Sequence, residues 1–260
     1  MKIFIITQEE AFYLPTFIRA VLAAREKDVV GMTILPPTVP RKGWWTIINE
    51  HYKLYGLRTF LYQGGRFVFY RFMDFVDRFL AIRDFYSVRG VARQCKVPLY
   101  PTPSVNSQQY VEALRLLALD VIISINASQV FKRQLLALPR LGCINVHGAL
   151  LPKYRGRLPS FWVLLNQERE TGVTVHFMNE HLDDGPIIAQ RRVPIMPGES
   201  QHSLILKTKR IGAELLIEVL DQLENGRVNV QTNDRARATY HSFPTPEDGR
   251  KFRELGLRFI

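Results

Sequence analysis

Asn145 and His147 stand one residue apart at the end of an apolar run, Cys143-Ile-Asn-Val-His147, which leads into Gly148-Ala-Leu-Leu-Pro-Lys-Tyr-Arg-Gly156 and then Pro159. If that run is a strand continuing to His147, alternation puts both side chains on one side. An amide N–H₂ beside an imidazole can stabilise an oxyanion and move a proton. The competing reading is a strand end whose Asn caps a turn and whose His bonds locally. A second polar cluster, Asn179-Glu-His-Leu-Asp-Asp-Gly-Pro-Ile-Ile188, brings two adjacent carboxylates, Asp183 and Asp184, ahead of the turn formers Gly185-Pro186. A carboxylate next to His147 would orient the ring and favour its charged form. By itself, however, Asp-Asp-Gly-Pro is also plain turn chemistry.

The elements that must position these residues read as alternating strands and helices. Lys2–Ile6 is apolar and β-branched, Ala11–Arg25 has helical periodicity, and Val29–Leu35 is apolar before Pro36-Pro37. Downstream, the pattern predicts strands over 97–100, 120–125 and 143–146 and helices over 107–117 and 131–138. Strands over 172–178 and 186–193 follow, near the edge of the sheet, and then a long amphipathic helix over 200–224. Such alternation implies an α/β fold with a doubly wound, mostly parallel sheet, whose strand carboxyl ends line the ligand crevice. Asn145 and His147 fall at one of those ends.

Residues 36–86 break the rhythm. Of the chain's 16 Phe, 10 Tyr and 3 Trp, ten lie between Phe60 and Tyr86. Polar residues at 66, 71, 74, 77, 78 and 83 leave a broad apolar face at helical spacing. The first reading is a helix covering the core of an enlarged domain, or a subunit interface that would make a homodimer. An interfacial helix touching a membrane surface through 66–86 is the second, and a lid over an apolar substrate the third. The polar stripe mixes Arg66, Arg71, Arg78 and Arg83 with Asp74, Asp77 and Asp84, which argues against lipid. The division expected is a catalytic domain over 1–225, with an aromatic-rich helical insertion at 36–86, and a short basic extension over 226–260.

Composition narrows the classes. Lys plus Arg number 35 against 24 Asp plus Glu, a formal +11, which points to anionic partners such as phosphates, nucleic acid, a carboxylate-bearing cofactor or a membrane surface. The two cysteines, Cys95 and Cys143, have no CxxC or Cys/His spacing, so neither a disulfide framework nor a metal site is expected. No apolar run is long enough to span a membrane, and the short one at the N-terminus reads as a strand rather than a signal peptide; a cytoplasmic location is the default. GxGxxG after the first strand, GxxxxGK[ST], GxSxG and HExxH are all missing, which removes the usual support for dinucleotide dehydrogenases, P-loop enzymes, elbow hydrolases and zincins.

Taken together, Asn145-x-His147, Leu151-Pro152-x-Tyr154-Arg155-Gly156, Thr171-Gly172-Val173-Thr174 and Leu182-Asp183-x-Gly185-Pro186-Ile187-Ile188 resemble the folate-dependent formyltransferase family. Its members include methionyl-tRNA formyltransferase, glycinamide ribonucleotide formyltransferase and the sugar N-formyltransferases. The four motifs agree in order and spacing over residues 97–195. Ala238-Thr-Tyr240 with 244–248 is similar to the segment that follows the catalytic core in the tRNA and sugar enzymes. The resemblance implies a Rossmann-like core that uses 10-formyltetrahydrofolate as cosubstrate and needs no metal, with Asn145, His147 and Asp183 in the places of the family's catalytic Asn, His and Asp. It further implies a folate pocket at Asn126, Ala127, Ser128, Gln129, Val130, Leu182, Asp184 and Gly185, and a substrate loop at Leu151, Pro152, Tyr154, Arg155 and Gly156. Asp184 departs from the family pattern, where that position is often small or neutral; here it would face water or repel a folate carboxylate.

For the acceptor, a small-molecule amine is favoured, an amino sugar on a nucleotide or lipid phosphate carrier. Transfer to methionyl-tRNA without a C-terminal barrel is the alternative, since the residues after Glu224 are too few for such a barrel. The longest basic run, Lys207-Thr-Lys209-Arg210, reads as a solvated face. A 10-formyltetrahydrofolate hydrolase could use the same three residues with water as acceptor. An N-terminal regulatory domain of the hydrolase type is not expected ahead of Met1-Lys-Ile-Phe. A silent scaffold is disfavoured by the three intact positions.

Overall fold

Buried parallel strands read as near-continuous apolar runs because both faces are covered, and the first strand shows the consequence. In the computed structural model, which describes residues 1–36, 44–80 and 86–260, Ile3 and Ile5 point into one core and Phe4 and Ile6 into another. In chain order the elements are β1 Ile3–Gln8, α1 Leu14–Ala24, β2 Val29–Leu35, α2 Trp44–Tyr55, α3 Leu57–Leu80, α4 Val88–Gln94, α5 Gln108–Arg115 and β3 Val121–Ile125. Then come α6 Arg133–Leu136, β4 Cys143–His147, β5 Arg155–Gly156, α7 Pro159–Leu165, β6 Glu170–Phe177, β7 Ile187–Pro194, α8 Gln201–Glu224, β8 Tyr240–His241 and α9 Pro246–Glu254.

The main sheet has the order β2-β1-β3-β4-β6-β7. The first three pairings are parallel and the last two antiparallel, so the sheet is mostly parallel and the fold α/β, as the strand–helix rhythm implies. Helices α1, α4 and α8 cover one face through Phe17, Ile18, Val91, Leu216 and Leu220. Helices α5 and α6 cover the other through Val111, Leu114 and Leu135. Two expected elements shrink. Residues 97–100 make only one bridge to β2, Leu99 to Met32, and the helix expected over 131–138 is one turn ahead of Pro139.

The insertion is helical where described, but its apolar face is not turned to the core. Helix α3 buries Asp74 and Asp77 while Phe72, Phe75 and Phe79 are exposed. The carboxylates explain this orientation: Asp74 accepts from Ser87 Oγ at 2.5 Å and pairs with Arg78, and Asp77 pairs with Arg93 and accepts from Gln94. These two carboxylates would be hard to expose without leaving Ser87 and Gln94 unpaired. Residues 37–43 and 81–85, including Arg83 and Asp84 of the expected stripe, lie outside the described residues. No described helix is long and apolar enough to cross a membrane.

Residues 226–260 pack into the same body. Phe252 and Phe259 are buried in a third core with Tyr154, Phe161, Leu164 and Leu204, and α9 rests on α2, where Arg253 bonds the carbonyls of Leu54 and Lys53.

Candidate active site

Strand β4 does run to His147, so Asn145 and His147 share a side, as alternation requires. The parallel register with β3 puts them at the carboxyl end of the sheet. Beside them, β6 is antiparallel and sets His176 opposite Asn145 and Thr174 opposite His147. Asp183, from the loop before β7, closes the group: its Oδ1 accepts from Asn145 Nδ2 at 3.3 Å, and its Oδ2 lies 3.5 Å from His147 Nδ1. His147, His176 and Asp183 are all buried, and Asn145 is partly open.

Carbonyl partners fix both imidazoles. His147 Nε2 is 2.8 Å from Tyr154 O, and because a carbonyl only accepts, Nε2 carries a proton. Nδ1 is therefore the nitrogen left for chemistry, and it faces Asp183. His176 Nδ1 donates to Phe177 O at 2.7 Å, leaving Nε2 as acceptor for Asn145 Nδ2 at 3.2 Å. The Asp183 carboxyl is raised by burial, but His147, His176 and the Gly156 N–H, which donates to Oδ2 at 2.9 Å, together bring it down to about 2. It is a carboxylate at neutral pH.

Asp183 adopts φ +50°, a left-handed conformation that costs a non-glycine residue about 1 kcal/mol or more. Asn233 holds it there, donating from Nδ2 to Asp183 O and Gly185 O, both at 3.0 Å. A Cβ at Gly185 would overlap Phe177 O, so this close approach of loop to strand requires glycine.

The Leu151–Gly156 segment, read from sequence as a substrate loop, supports these groups. The Leu151–Pro152 peptide is cis. Leu151 N donates to Thr174 Oγ1 at 3.1 Å, and Gln190 Nε2 donates to Leu151 O at 2.8 Å. Tyr154 supplies the carbonyl for His147 and Gly156 the N–H for Asp183. Arg155 turns inward: its guanidinium is buried, 2.5 Å from Asp184 Oδ1 and 2.9 Å from Asn233 Oδ1. Asp184, expected in water or against a folate carboxylate, is instead buried and neutralised. Arg235 binds both of its oxygens, Asn179 donates to Oδ2, and Arg155 completes the set. Those donors, Arg235 first, hold the carboxyl well below the usual carboxylate range. With its charge matched by two guanidiniums, Asp184 is an anchor of the loop and not a source of repulsion.

The residues assigned to a folate wall, 126–130, leave the carboxyl end of β3 and are braced against neighbouring loops. Asn126 turns the chain with φ +57°. Ser128 Oγ donates to Pro36 O, Gln129 bonds Val105 N and Pro103 O, and Asn106 Nδ2 donates to Val130 O. Ala127 packs in the second core, while Val130 and Leu182 present exposed apolar side chains. Among the described residues, no group of three His, Cys, Asp or Glu side chains is arranged to hold a metal ion.

Sequence reasoning assigned no role to His176, Asn233, Arg235 or Thr239. Thr239 Oγ1 accepts from Tyr154 N at 2.8 Å, and Tyr240-His241 pair as β8 with Arg155-Gly156 of β5. The only local signals were a lone His inside an apolar strand and the Ala238-Thr-Tyr240 motif.

The family model described as "Formyl transferase" matches residues 84–220, more than half of the chain. A methionyl-tRNA formyltransferase from Trichlorobacter lovleyi is 38% identical over 162 residues, which are 62% of this chain and 51% of the relative. This chain thus spans about half the length of the curated relatives it matches. Among solved structures, an N-formyltransferase from Helicobacter canadensis in complex with folinic acid and dTDP-3-aminofucose superposes with TM-score 0.60 at 15% identity, covering 100% of this chain and 84% of that one. Glycinamide ribonucleotide transformylase 1 from Symbiobacterium toebii gives TM-score 0.61 at 17% identity, with 90% and 92% covered. These two share the fold, and the family-model match supplies the rest: the chain belongs to the formyl transferase family.

Proposed function

We propose that this protein moves a formyl group from N10 of 10-formyltetrahydrofolate to a primary amine. The observation that carries the proposal is the meeting of Asn145, His147 and Asp183 at the carboxyl end of β4, with each ring nitrogen and carboxylate oxygen accounted for.

A neutral amine attacks the formyl carbon with its lone pair, and the formyl oxygen gains charge as the tetrahedral adduct forms. His147, fixed through Nε2 by Tyr154 O, offers Nδ1 as the donor to that oxygen when it carries a second proton, and the Asp183 carboxylate is placed to pair with the resulting cation. Asn145 is the second donor. Its amide makes two long bonds, to Asp183 and His176, either of which can give way to the formyl oxygen. The amine nitrogen then loses a proton to Asp183 or His147, directly or through water. As the bond from the formyl carbon to N10 breaks, N10 takes up a proton, so the reaction is proton-neutral overall.

The preferred acceptor is an amino sugar on a nucleotide or lipid phosphate carrier, with methionyl-tRNA second. Two observations bear on it. At the start of helix α1, Glu10 accepts from Phe12, Tyr13 and Leu14 N at 2.6–2.7 Å, which sets a carboxylate where a phosphate would otherwise be drawn to the helix end. The basic run 207–210 is also engaged internally: Lys207 pairs with Glu199, Arg210 lies 3.8 Å from Glu214, and Lys209 sits over the Phe17 ring. Of that run, Arg210 is the residue that stays largely exposed.

The test is incubation of the protein with 10-formyltetrahydrofolate and a panel of amines: dTDP- and UDP-linked amino sugars, methionyl-tRNA, and none. Tetrahydrofolate formation that depends on an amine is the expected result. Formate release without any amine would assign hydrolysis instead, and inertness throughout would sink the enzymatic reading. His147→Ala and Asp183→Asn should each lower transfer by about 10²–10⁴-fold, with folate binding kept within a few-fold of the parent by titration.

A further inference from the structure

Helix α3 is turned inside out relative to an ordinary surface helix. Leu57, Leu61, Val68, Phe72, Phe75 and Phe79 recur at steps of three, four or seven residues and so form one stripe. Each is between 56 and 73% exposed. Its two aspartates face the protein, so the only charged side chains α3 exposes by a third or more are Arg58, Arg71 and Arg78. The stripe is about 33 Å long at the rise of an α-helix. Tyr62, Phe67, Phe69 and Leu80 of the same helix are also 47–70% exposed, so the open apolar surface is large for a lone soluble domain. The helix is not loosely attached: Tyr70 packs on Phe12 at 5.3 Å, Arg66 covers the Phe12 ring at 4.7 Å, and Asp74 and Asp77 tie it to Ser87 and α4. Phe12 belongs to the loop leaving the carboxyl end of β1, so α3 is anchored at the edge of the sheet that carries Asn145 and His147.

We propose that this face of α3 docks on the surface of an anionic lipid bilayer, lying in the interface with its aromatic stripe in the acyl boundary and its arginines on lipid phosphates. An apolar stripe of Phe, Leu and Val bordered by arginine, on a helix too polar to span, is what such interfacial binding requires. The sequence mixes acidic and basic residues along the stripe's margin; the structure separates them, sending Asp74 and Asp77 inward and leaving a basic border. A second copy of the chain fits less well. Two-fold pairing of this face would set like-charged arginines along one seam with no acidic side chain of α3 to meet them.

The experiment is co-sedimentation of the full chain with vesicles of phosphatidylcholine alone and of phosphatidylcholine mixed with phosphatidylglycerol. It reads lipid binding and is independent of formyl transfer. The expected result is pelleting with the mixed vesicles, weakened by salt. The triple variant Phe72→Ser/Phe75→Ser/Phe79→Ser should stay in the supernatant with its circular dichroism unchanged. Arg58→Glu/Arg71→Glu, which leaves the aromatics in place, should bind the mixed vesicles at least about tenfold more weakly. Failure of the parent to pellet with either vesicle would overturn the proposal. So would pelleting that both variants retain, or a dimer in solution that the triple variant converts to monomer without any lipid binding.

Discussion

Burial alone would raise the Asp183 carboxyl above its unfolded value of 3.8, yet His147, His176 and the Gly156 N–H bring it down to about 2. A carboxyl with a lowered native pKa contributes stability that is complete above about pH 4 and is lost as pH falls through about 2. For Asp183 the contribution is about 2 kcal/mol. Urea unfolding measured stepwise between pH 5 and 2 should show a shallower acid loss in Asp183→Asn than in the parent, by about that amount. Parallel curves would mean that the carboxylate is not held by its neighbours. The Asp184 carboxyl is also lowered, by Arg235 first and by Asn179 and Arg155, so the difference between the two proteins is the informative quantity. At this scale much was legible: alternation put Asn145 and His147 on one side, and motif spacing singled out Asp183. His176 was not, because its role depends on the antiparallel register of β6 on β4, and no local pattern encodes a register between strands whose starts lie 27 residues apart.

Secondary elements meet at the site in the two-residue pairing of β5 with β8. Gly156 there has φ +101°, and a Cβ would overlap His241 O. Gly156→Ala should therefore lower stability by at least about 1 kcal/mol and, by moving the N–H off Asp183, lower transfer about a hundredfold. The expected pattern is a fall in kcat larger than any rise in folate Kd; an unchanged kcat would show that Asp183 does not depend on this N–H. Strands β1 to β3 could be read directly, since strands buried on both faces are near-continuous apolar runs. Helix α3 shows the limit of the same reasoning. Periodicity states which residues share a face, whereas the partners of Asp74 and Asp77, Ser87 and Arg93, decide which face meets the protein.

On the scale of the molecule, the basic tail looks from composition like an appendage, and its contacts argue otherwise. Asn233 and Arg235 hold the Asp183–Asp184 loop, Thr239 and β8 hold Tyr154 and Gly156, and Phe252 and Phe259 stack with Phe161 at ring separations of 4.8 and 6.1 Å. Phe161 belongs to α7, which follows the site loop directly. If tail and core are one cooperative unit, Phe252→Ala, which empties a fully buried position, should cost about 3–5 kcal/mol in a single unfolding transition. Tryptophan fluorescence reports on the tail's surroundings because Trp162 Nε1 donates to Ser242 O, and far-UV circular dichroism reports on the sheet and helices. The two signals should move together in urea and shift together in the variant. An early fluorescence change with the dichroism midpoint unmoved would instead mark 226–260 as a separately melting extension. Transfer activity would then be expected to follow the fluorescence, because the carbonyl that fixes His147 comes from Tyr154, which the tail's Thr239 holds, and the N–H that fixes Asp183 comes from Gly156 of the strand the tail pairs with.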